Sequence, residues 1–402
     1  MPKINKNNYL IFLALIFTLF IGFLLRIYNL NFEDLWFDEM VSFWVSDPNI
    51  SFLESYERNS IEGTSYFFNF ILKIMHHIFG YNPHVGRYLS CSFGIFSIFS
   101  IGYLAKIIKK NNFYILAMFL ISLNVFLIKY SQEIRVYSIL FFLSSIILIF
   151  FFKLLNSKNN NIDISNSIYF ISFQILGILA HPFAAIILFS IVLFLLIKYF
   201  KFKKTYRSLN ISIFFIFLFL IFYLPLYIAD TNTDLISWIL HPNIKFYTNF
   251  YSSKFFGSRL VGLIHLSILI FLIIYFKNNF IKKFDKTTSL IFIIMLSYIL
   301  PIFYGYLDKP IIHSRYIIFV IMPIILIISY LIFEIQNKRL KNFLISILVI
   351  FTIGNQFTET NFKQFFNERP HHKPEYSLAL KKIQDSNYEK FMINFDLINK
   401  KN

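Results

Sequence analysis

The sequence predicts an all-α polytopic membrane protein of about eleven transmembrane helices (range nine to thirteen) with interfacial helices in a long first external loop. Three observations carry this. Apolar runs of sixteen to twenty residues recur along the chain, each long enough to cross a hydrocarbon core about 30 Å thick. The 402 residues are 57% apolar and include 55 Phe, at a mean hydropathy of +0.62, more apolar surface than a soluble domain needs. Lys and Arg gather in alternate loops.

In order, the runs lie at 9–27, 86–105, 112–129, 136–153, 165–180, 183–198, 211–228, 260–276, 289–304, 316–334 and 342–357. Lys3 and Lys6 before the first run give it the flavour of a signal peptide. The run is long, however, and Tyr28-Asn29-Leu30 offers no small-residue cleavage site, so an uncleaved anchor is expected. His181-Pro182 leaves almost no loop between the fifth and sixth runs, which read as two spans or as one re-entrant hairpin. Residues 1–357 form the transmembrane domain, with the first external loop at 28–86, and 358–402 form a short external tail. In that tail Pro374–Gln384 reads as an amphipathic helix and Phe391–Phe395 as a strand, too little to bury a core alone.

With the N-terminus placed in the cytoplasm, the inner segments hold nineteen Lys and Arg, from Lys3 to Lys341, against only Asp163, Asp285 and Glu334. The opposite side carries twelve carboxylates before the tail. The net charge of +17 is therefore a topology signal. A nucleic-acid surface is excluded, because the charge is spread over short loops. Cys91, the one cysteine, excludes an internal disulfide and a cysteine metal cluster. Inner (cytoplasmic) membrane localisation follows, with the tail and first loop outside.

That first loop, Asn29 to Arg87, holds eight of the 21 carboxylates, including the adjacent pair Asp38-Glu39 flanked by Trp36, Phe37, Phe43 and Trp44. Aromatic residues favour the headgroup level, so an acidic pair there can meet a substrate that is half lipid and half polar. Ser65–Gly80 is too short to span and reads as a helix lying in the interface, ended by Gly80. Its apolar positions are Phe67, Phe70, Ile71, Ile74 and Ile78, with Asn69, Lys73, His76 and His77 on other faces. His76 and His77 are adjacent, so they point apart and make a poor metal pair.

Ionisable groups at membrane depth are costly and mark pathways or sites. Here they gather at the external ends of the spans: Arg87, Lys129, Glu133, Arg135, His181, Asp230, Asp234, Arg259, His313 and Arg315, with Trp238 and His241 close by. They suit transfer from a phosphate leaving group. A carboxylate can take a proton from an acceptor hydroxyl, and Arg, Lys or His can neutralise the departing phosphate. A carboxylate pair can also hold a divalent cation, with Asp38 and Glu39 as its ligands. Plainer roles stand beside these. Arg259 and Lys254 can snorkel, Arg135 can pair with Glu133, Arg315 can be interfacial, and His181 can cap a helix.

At these residues the chain resembles the polytopic GT-C glycosyltransferases. The likeness is specifically to the bacterial glycosyltransferase 39-like branch, which includes protein O-mannosyltransferases and the lipid A aminoarabinose transferase. The likeness runs through Leu35-Trp36-Phe37-Asp38-Glu39, Glu62–Gly80, Gly86-Arg87-Tyr88-Leu89-Ser90, Tyr130–Ser138, Ser237-Trp238-Ile239, Ser314-Arg315-Tyr316 and Pro374–Ile383. It implies a membrane enzyme of the cell envelope, moving a hexosyl or pentosyl group from a polyprenyl-phosphate sugar, with inversion, to a hydroxyl or other nucleophilic acceptor. Under it Asp38 is the catalytic acidic residue and Glu39 its partner. Arg135, His181, Arg315 and Arg87 face the lipid phosphate, and Trp36, Glu62, Tyr66, Tyr137 and Trp238 line the substrate. Two departures stand out. Gly63-Thr64-Ser65-Tyr66 replaces the family's Pro-Pro-Leu-Tyr-like stretch, and the tail is short. The expected partners are membrane lipid and the polyprenyl-phosphate sugar, with no nucleic acid.

Two rivals follow from the same composition. A transporter or flippase of lipid-linked sugars should place ionisable groups near mid-membrane in two related halves. An O-antigen polymerase or ligase usually puts its largest external loop late in the chain.

Overall fold

The computed structural model describes residues 6–62, 65–157, 162–230, 239, 255–277, 285–359 and 376–385. Every regular element among them is helical. The chain enters through α1 (Lys6–Ile27), then forms three short helices, α2 (Phe37–Val45), α3 (Phe52–Glu62) and α4 (Phe67–Phe79). There follow α5 (Pro83–Ile108), α6 (Phe113–Ser122), α7 (Val125–Ser131), α8 (Tyr137–Asn156), α9 (Ile164–Ala180), α10 (Ala185–Phe202) and α11 (Arg207–Asp230). The later helices are α12 (Arg259–Tyr275), α13 (Asp285–Leu307), α14 (Ile321–Glu334), α15 (Lys338–Glu359) and α16 (Tyr376–Gln384). Each of the eleven apolar runs coincides with a helix or with a broken helix pair. Among the described residues seven helices are long and apolar enough to cross a membrane, and α6 with α7, bent by 56°, would make an eighth. The remaining runs give the shorter apolar helices α9, α12 and the segment Ile318–Glu334.

Hydropathy decides who sits in the middle. α14 is buried on all sides, from Ile321 through Ile332, as a helix that is apolar all round must be. It packs on α6, α12 and α13, while α5 packs along α8 and α6. Outer helices keep large apolar groups uncovered, such as Phe12, Phe17 and Phe20 on α1 and Phe214, Phe222 and Leu226 on α11. Such faces suit lipid.

The 112–129 run contains neither Pro nor Gly, yet it breaks. Asn124 caps α7, accepting from Leu127 N–H at 3.0 Å, and donates to the Phe255 carbonyl at 2.9 Å. The last carbonyls of α6 would otherwise be stranded in the membrane. Arg26, buried in α1, donates to Ser122 O at 2.9 Å and Ile121 O at 3.4 Å, and Gln356 donates to Leu123 O at 2.5 Å. A cation is well placed at a helix C-terminus. Gln132 then ties the far end of α7 to the last carbonyls of α1, donating to Leu25 O at 3.2 Å and Arg26 O at 3.1 Å. The bent helix thus delivers the turn from Ser131 to Arg135.

α4 occupies the predicted interfacial helix, and its inward face mixes apolar and polar groups: Phe68 and Leu72 are buried against Leu89, Ile134 and Ile139. Asn69, Lys73 and His76 are buried, while Phe70, Ile78 and Phe79 are exposed. Lys73 donates to the carbonyls of Asp47 and, at 2.8 Å, Ile50; Asn69 bonds Asn59 at 2.7 Å; His76 Nδ1 donates to Ser46 O at 3.0 Å. Burial lowers the pKa of both Lys73 and His76. The buried polar groups therefore tie α2, α3 and α4 together beside Phe68 and Leu72, and the exposed apolar groups suit lipid. Gly80 ends α4 at a φ of 91°, a left-handed position suited to glycine. His77 is exposed. The helix predicted at Pro374–Gln384 is present as α16; the strand predicted at Phe391–Phe395 lies outside the described residues.

Candidate functional site

The site begins at the start of α2, where Trp36 is the cap and Asp38 and Glu39 take the second and third helical positions. Carboxylates suit the first turn of a helix. Position then separates the two. Glu39 is fully buried and reaches back to the Trp36 N–H at 3.3 Å, as a residue at the third position of a capping box does. It also accepts from Ile134 N–H at 3.0 Å and pairs with Arg87, at 3.4 Å from Nε and 3.5 Å from Nη2. Arg87 continues to the carbonyls of Leu30 at 3.1 Å and Asp34 at 3.2 Å. A Cβ on Gly86 would lie 2.6 Å from Ile134 Cγ2, so Gly86 lets α5 approach the turn that Glu39 binds. Glu39, Arg87 and Gly86 together clamp α2, α5 and the α7–α8 turn.

Asp38 faces the other way and keeps 22% of its side chain exposed. Its Oδ2 lies 3.2 Å from Arg315 Nη1 and 3.5 Å from Arg135 Nη2. Arg135 also donates to the Asp38 carbonyl at 3.0 Å and Ser42 Oγ at 3.3 Å. The Arg315 guanidinium stands 5.6 Å from the ring centres of Tyr137 and Tyr316 and 6.0 Å from that of Trp36. His181 packs on Tyr316 with ring centres 4.9 Å apart, and His313 on the same ring at 5.6 Å.

His181 does cap a helix: its Nδ1 accepts from Phe183 N–H at 3.2 Å, which leaves the ring proton on Nε2. Burial, with Arg315 and Arg135 adding repulsion, pushes its pKa down to about 3. It is neutral at physiological pH and can offer one N–H, not a charge.

The structure thus brings Asp38, Arg135, Arg315, Trp36, Tyr137 and His181 to one place. Arg87 is engaged with Glu39 and backbone carbonyls instead. Tyr66 bonds Ser55 at 2.8 Å and packs edge-on against Tyr56, between α3 and the start of α4. The side chain of Glu62, and Trp238 with Asp234 and His241, lie outside the described residues. Arg259 is exposed at the start of α12, as a snorkelling residue would be. Residues that the sequence reading passed over are Ser42, which holds Arg135, and Arg26 and Gln132, which aim α7. Arg26 stands at the end of an apolar run, where a cation ordinarily snorkels, so the sequence alone gives it no distinguishing signal.

No group of three or more metal-ligating side chains occurs among the described residues. The donor set of Asp38 and Glu39 does not fit a divalent cation. Both Glu39 oxygens receive N–H donors, and three guanidiniums flank the pair. A cation there would have to overcome that positive charge.

No family model matches the sequence, and no curated protein does. Solved structures do. The chain has the GT-C membrane fold. It is similar to ArnT from Cupriavidus metallidurans, solved with undecaprenyl phosphate, at 12% identity and a TM-score of 0.56 over 87% of this chain and 64% of that one. It is also similar to the oligosaccharyltransferase from Archaeoglobus fulgidus tethered to an acceptor peptide, at 12% identity and a TM-score of 0.58 over 94% of this chain and 57% of that one. Archaeoglobus fulgidus AglB with an inhibitory peptide and a dolichol-phosphate matches at 12% identity and a TM-score of 0.55, over 95% and 59%. The chain therefore spans 57–64% of the length of these structures.

Proposed function

We infer that this protein is an inverting glycosyltransferase that moves a sugar from a polyprenyl-phosphate donor to a hydroxyl or similar acceptor at the external face of the inner membrane. The observation that carries the reading is one carboxylate, Asp38, partly exposed and set against two guanidiniums and three aromatic rings at the loop end of a GT-C fold. Two structural neighbours were solved with polyprenyl phosphates, undecaprenyl in one and dolichol in the other, which supports a lipid-phosphate donor. Asp38 is the general base on the acceptor. Arg135 and Arg315 receive the phosphate, His181 donates one hydrogen bond, and Trp36 and Tyr137 flank the sugar or its phosphate. Glu39 and Arg87 hold the framework. Residues 1–357 form the membrane domain and 358–402 an external tail.

Orientation is testable by itself. The Lys and Arg asymmetry places a reporter fused near Asn49 or Lys373 outside and one near Lys203 in the cytoplasm. A cytoplasmic reading at Asn49 would remove the external site.

The donor phosphate is tested by saturation kinetics with a lipid-linked sugar. Arg135→Ala weakens donor use by about 1.5–3 kcal/mol, the range of a charge-assisted hydrogen bond. Arg135→Lys restores part of this, because an ammonium lacks the planar fork. Wild-type efficiency in the alanine variant at low donor concentration would show that Arg135 does not meet the donor.

A further inference from the structure

The base and the phosphate ligands of the proposed reaction hold one another. Oδ2 of Asp38 is taken by Arg315 and Arg135, at 3.2 and 3.5 Å, while Oδ1 accepts no hydrogen bond among the described residues. Oδ1 is thus the oxygen open to an acceptor hydroxyl, and Oδ2 the one that competes with a phosphate for the guanidiniums. Arg135 is further anchored to the Asp38 carbonyl and Ser42. The Arg315 guanidinium faces the rings of Trp36, Tyr137 and Tyr316 among the described residues.

We propose that Arg315, with Arg135, hands its bond from Asp38 to the departing lipid phosphate during transfer, so that each guanidinium stays paired with a negative charge throughout. This rests on the glycosyltransferase reading. The donor is a phosphodiester with one negative charge. The acceptor O–H gives its proton to Asp38 Oδ1, and the acceptor oxygen bonds to the anomeric carbon. The bond from that carbon to the phosphate oxygen breaks, and its electron pair leaves with the phosphate. That phosphate becomes a monoester with about two negative charges at pH 7. Before the step, one carboxylate and one diester balance two guanidiniums. After it, a neutral Asp38 and a dianion balance the same two. Uncompensated charge is most costly where water is scarce, and Asp38 is mostly buried. When the proton leaves Asp38, the carboxylate reclaims the arginines and helps to expel the lipid phosphate. Arg315 is thus a catalytic residue whose bond to Asp38 is part of the cycle.

The test is binding of undecaprenyl phosphate to the purified full-length protein in lipid nanodiscs, measured for wild type and Asp38→Asn. Removing the competing carboxylate should tighten binding about ten-fold even though transfer is lost. Equal or weaker binding by an Asp38→Asn protein that melts like the wild type overturns the proposal. A second variant covers the case in which two guanidiniums left together disturb folding. Arg315→Gln should lower the preference for undecaprenyl phosphate over its methyl phosphodiester by about ten-fold, because only the monoester carries the second charge. An unchanged preference overturns the proposal. Wild-type protein that binds neither lipid overturns the glycosyltransferase reading as well, whereas binding without these differences overturns the hand-over alone.

Discussion

Asp38→Asn lowers the rate of sugar transfer by about 10²–10⁴-fold, the contribution of a positioned general base. The amide keeps the size of the carboxylate and can still accept one bond from Arg315. It loses the negative charge and the basicity. The acceptor hydroxyl is a poor nucleophile until its proton is removed, and Asp38 Oδ1, unlike Oδ2, accepts no hydrogen bond among the described residues. The loss should fall on turnover, with the protein still inserted and still able to bind donor. Adding a chelator leaves the wild-type rate unchanged, because Glu39 is committed to Arg87, Ile134 N–H and Trp36 N–H and cannot complete a metal site. Near wild-type turnover in Asp38→Asn would remove the base from this mechanism. Inhibition reversed by added metal would return Glu39 to the chemistry.

Arg87→Met destabilises the protein by about 3–5 kcal/mol, the cost of leaving one member of a buried ion pair without its partner. Glu39 has no exposed surface, so it cannot recover solvation when the guanidinium is removed. The carbonyls of Leu30 and Asp34 lose their donor at the same time. Glu39→Gln should be milder, since Gln keeps an oxygen for Ile134 N–H and Arg87 keeps its carbonyls. The double variant should be more stable than the two single losses predict, which marks direct coupling. Thermal unfolding in nanodiscs measures all three. Strict additivity would show that the pair contributes no shared stability. Native melting of Arg87→Met with a selective rise in donor KM would return Arg87 to the phosphate.

Much of the architecture was legible because a membrane helix is written as one long apolar run. The break between α6 and α7 was not. It depends on Asn124, supported by Arg26 and Gln356, which lie 98 residues before and 232 residues after it in sequence. The interfacial helix was legible at Ser65–Gly80, as was its split into apolar and polar residues. That Asn69, Lys73 and His76 would be buried beside Phe68 and Leu72 was not, because their partners lie on α2, α3 and the turn between them. At the site, sequence singled out Asp38, Glu39, Arg135, His181 and Arg315 as ionisable groups at one membrane face. The residues themselves did not divide Asp38 from Glu39; only the family resemblance did. Adjacent carboxylates look alike until the helix start makes one the third residue, able to fold back on its own cap. Trp36 at the cap hid that signal, since the usual pattern begins with Ser, Thr, Asp or Asn. The Arg87 partner lies 48 residues away.

The most direct measurement is turnover by the purified full-length protein in nanodiscs. The donors are a panel of polyprenyl-phosphate sugars and, in parallel, the matching nucleotide sugars. Free polyprenyl phosphate and the anomeric configuration of the product are the readouts. A lipid-phosphate glycosyltransferase with Asp38 as base releases polyprenyl phosphate from at least one lipid-linked donor, leaves the nucleotide sugars intact, inverts the anomeric centre, and stops when Asp38 is changed to Asn. Consumption of nucleotide sugars, retention of configuration, or movement of an intact lipid-linked sugar across the bilayer with no release of polyprenyl phosphate would contradict it.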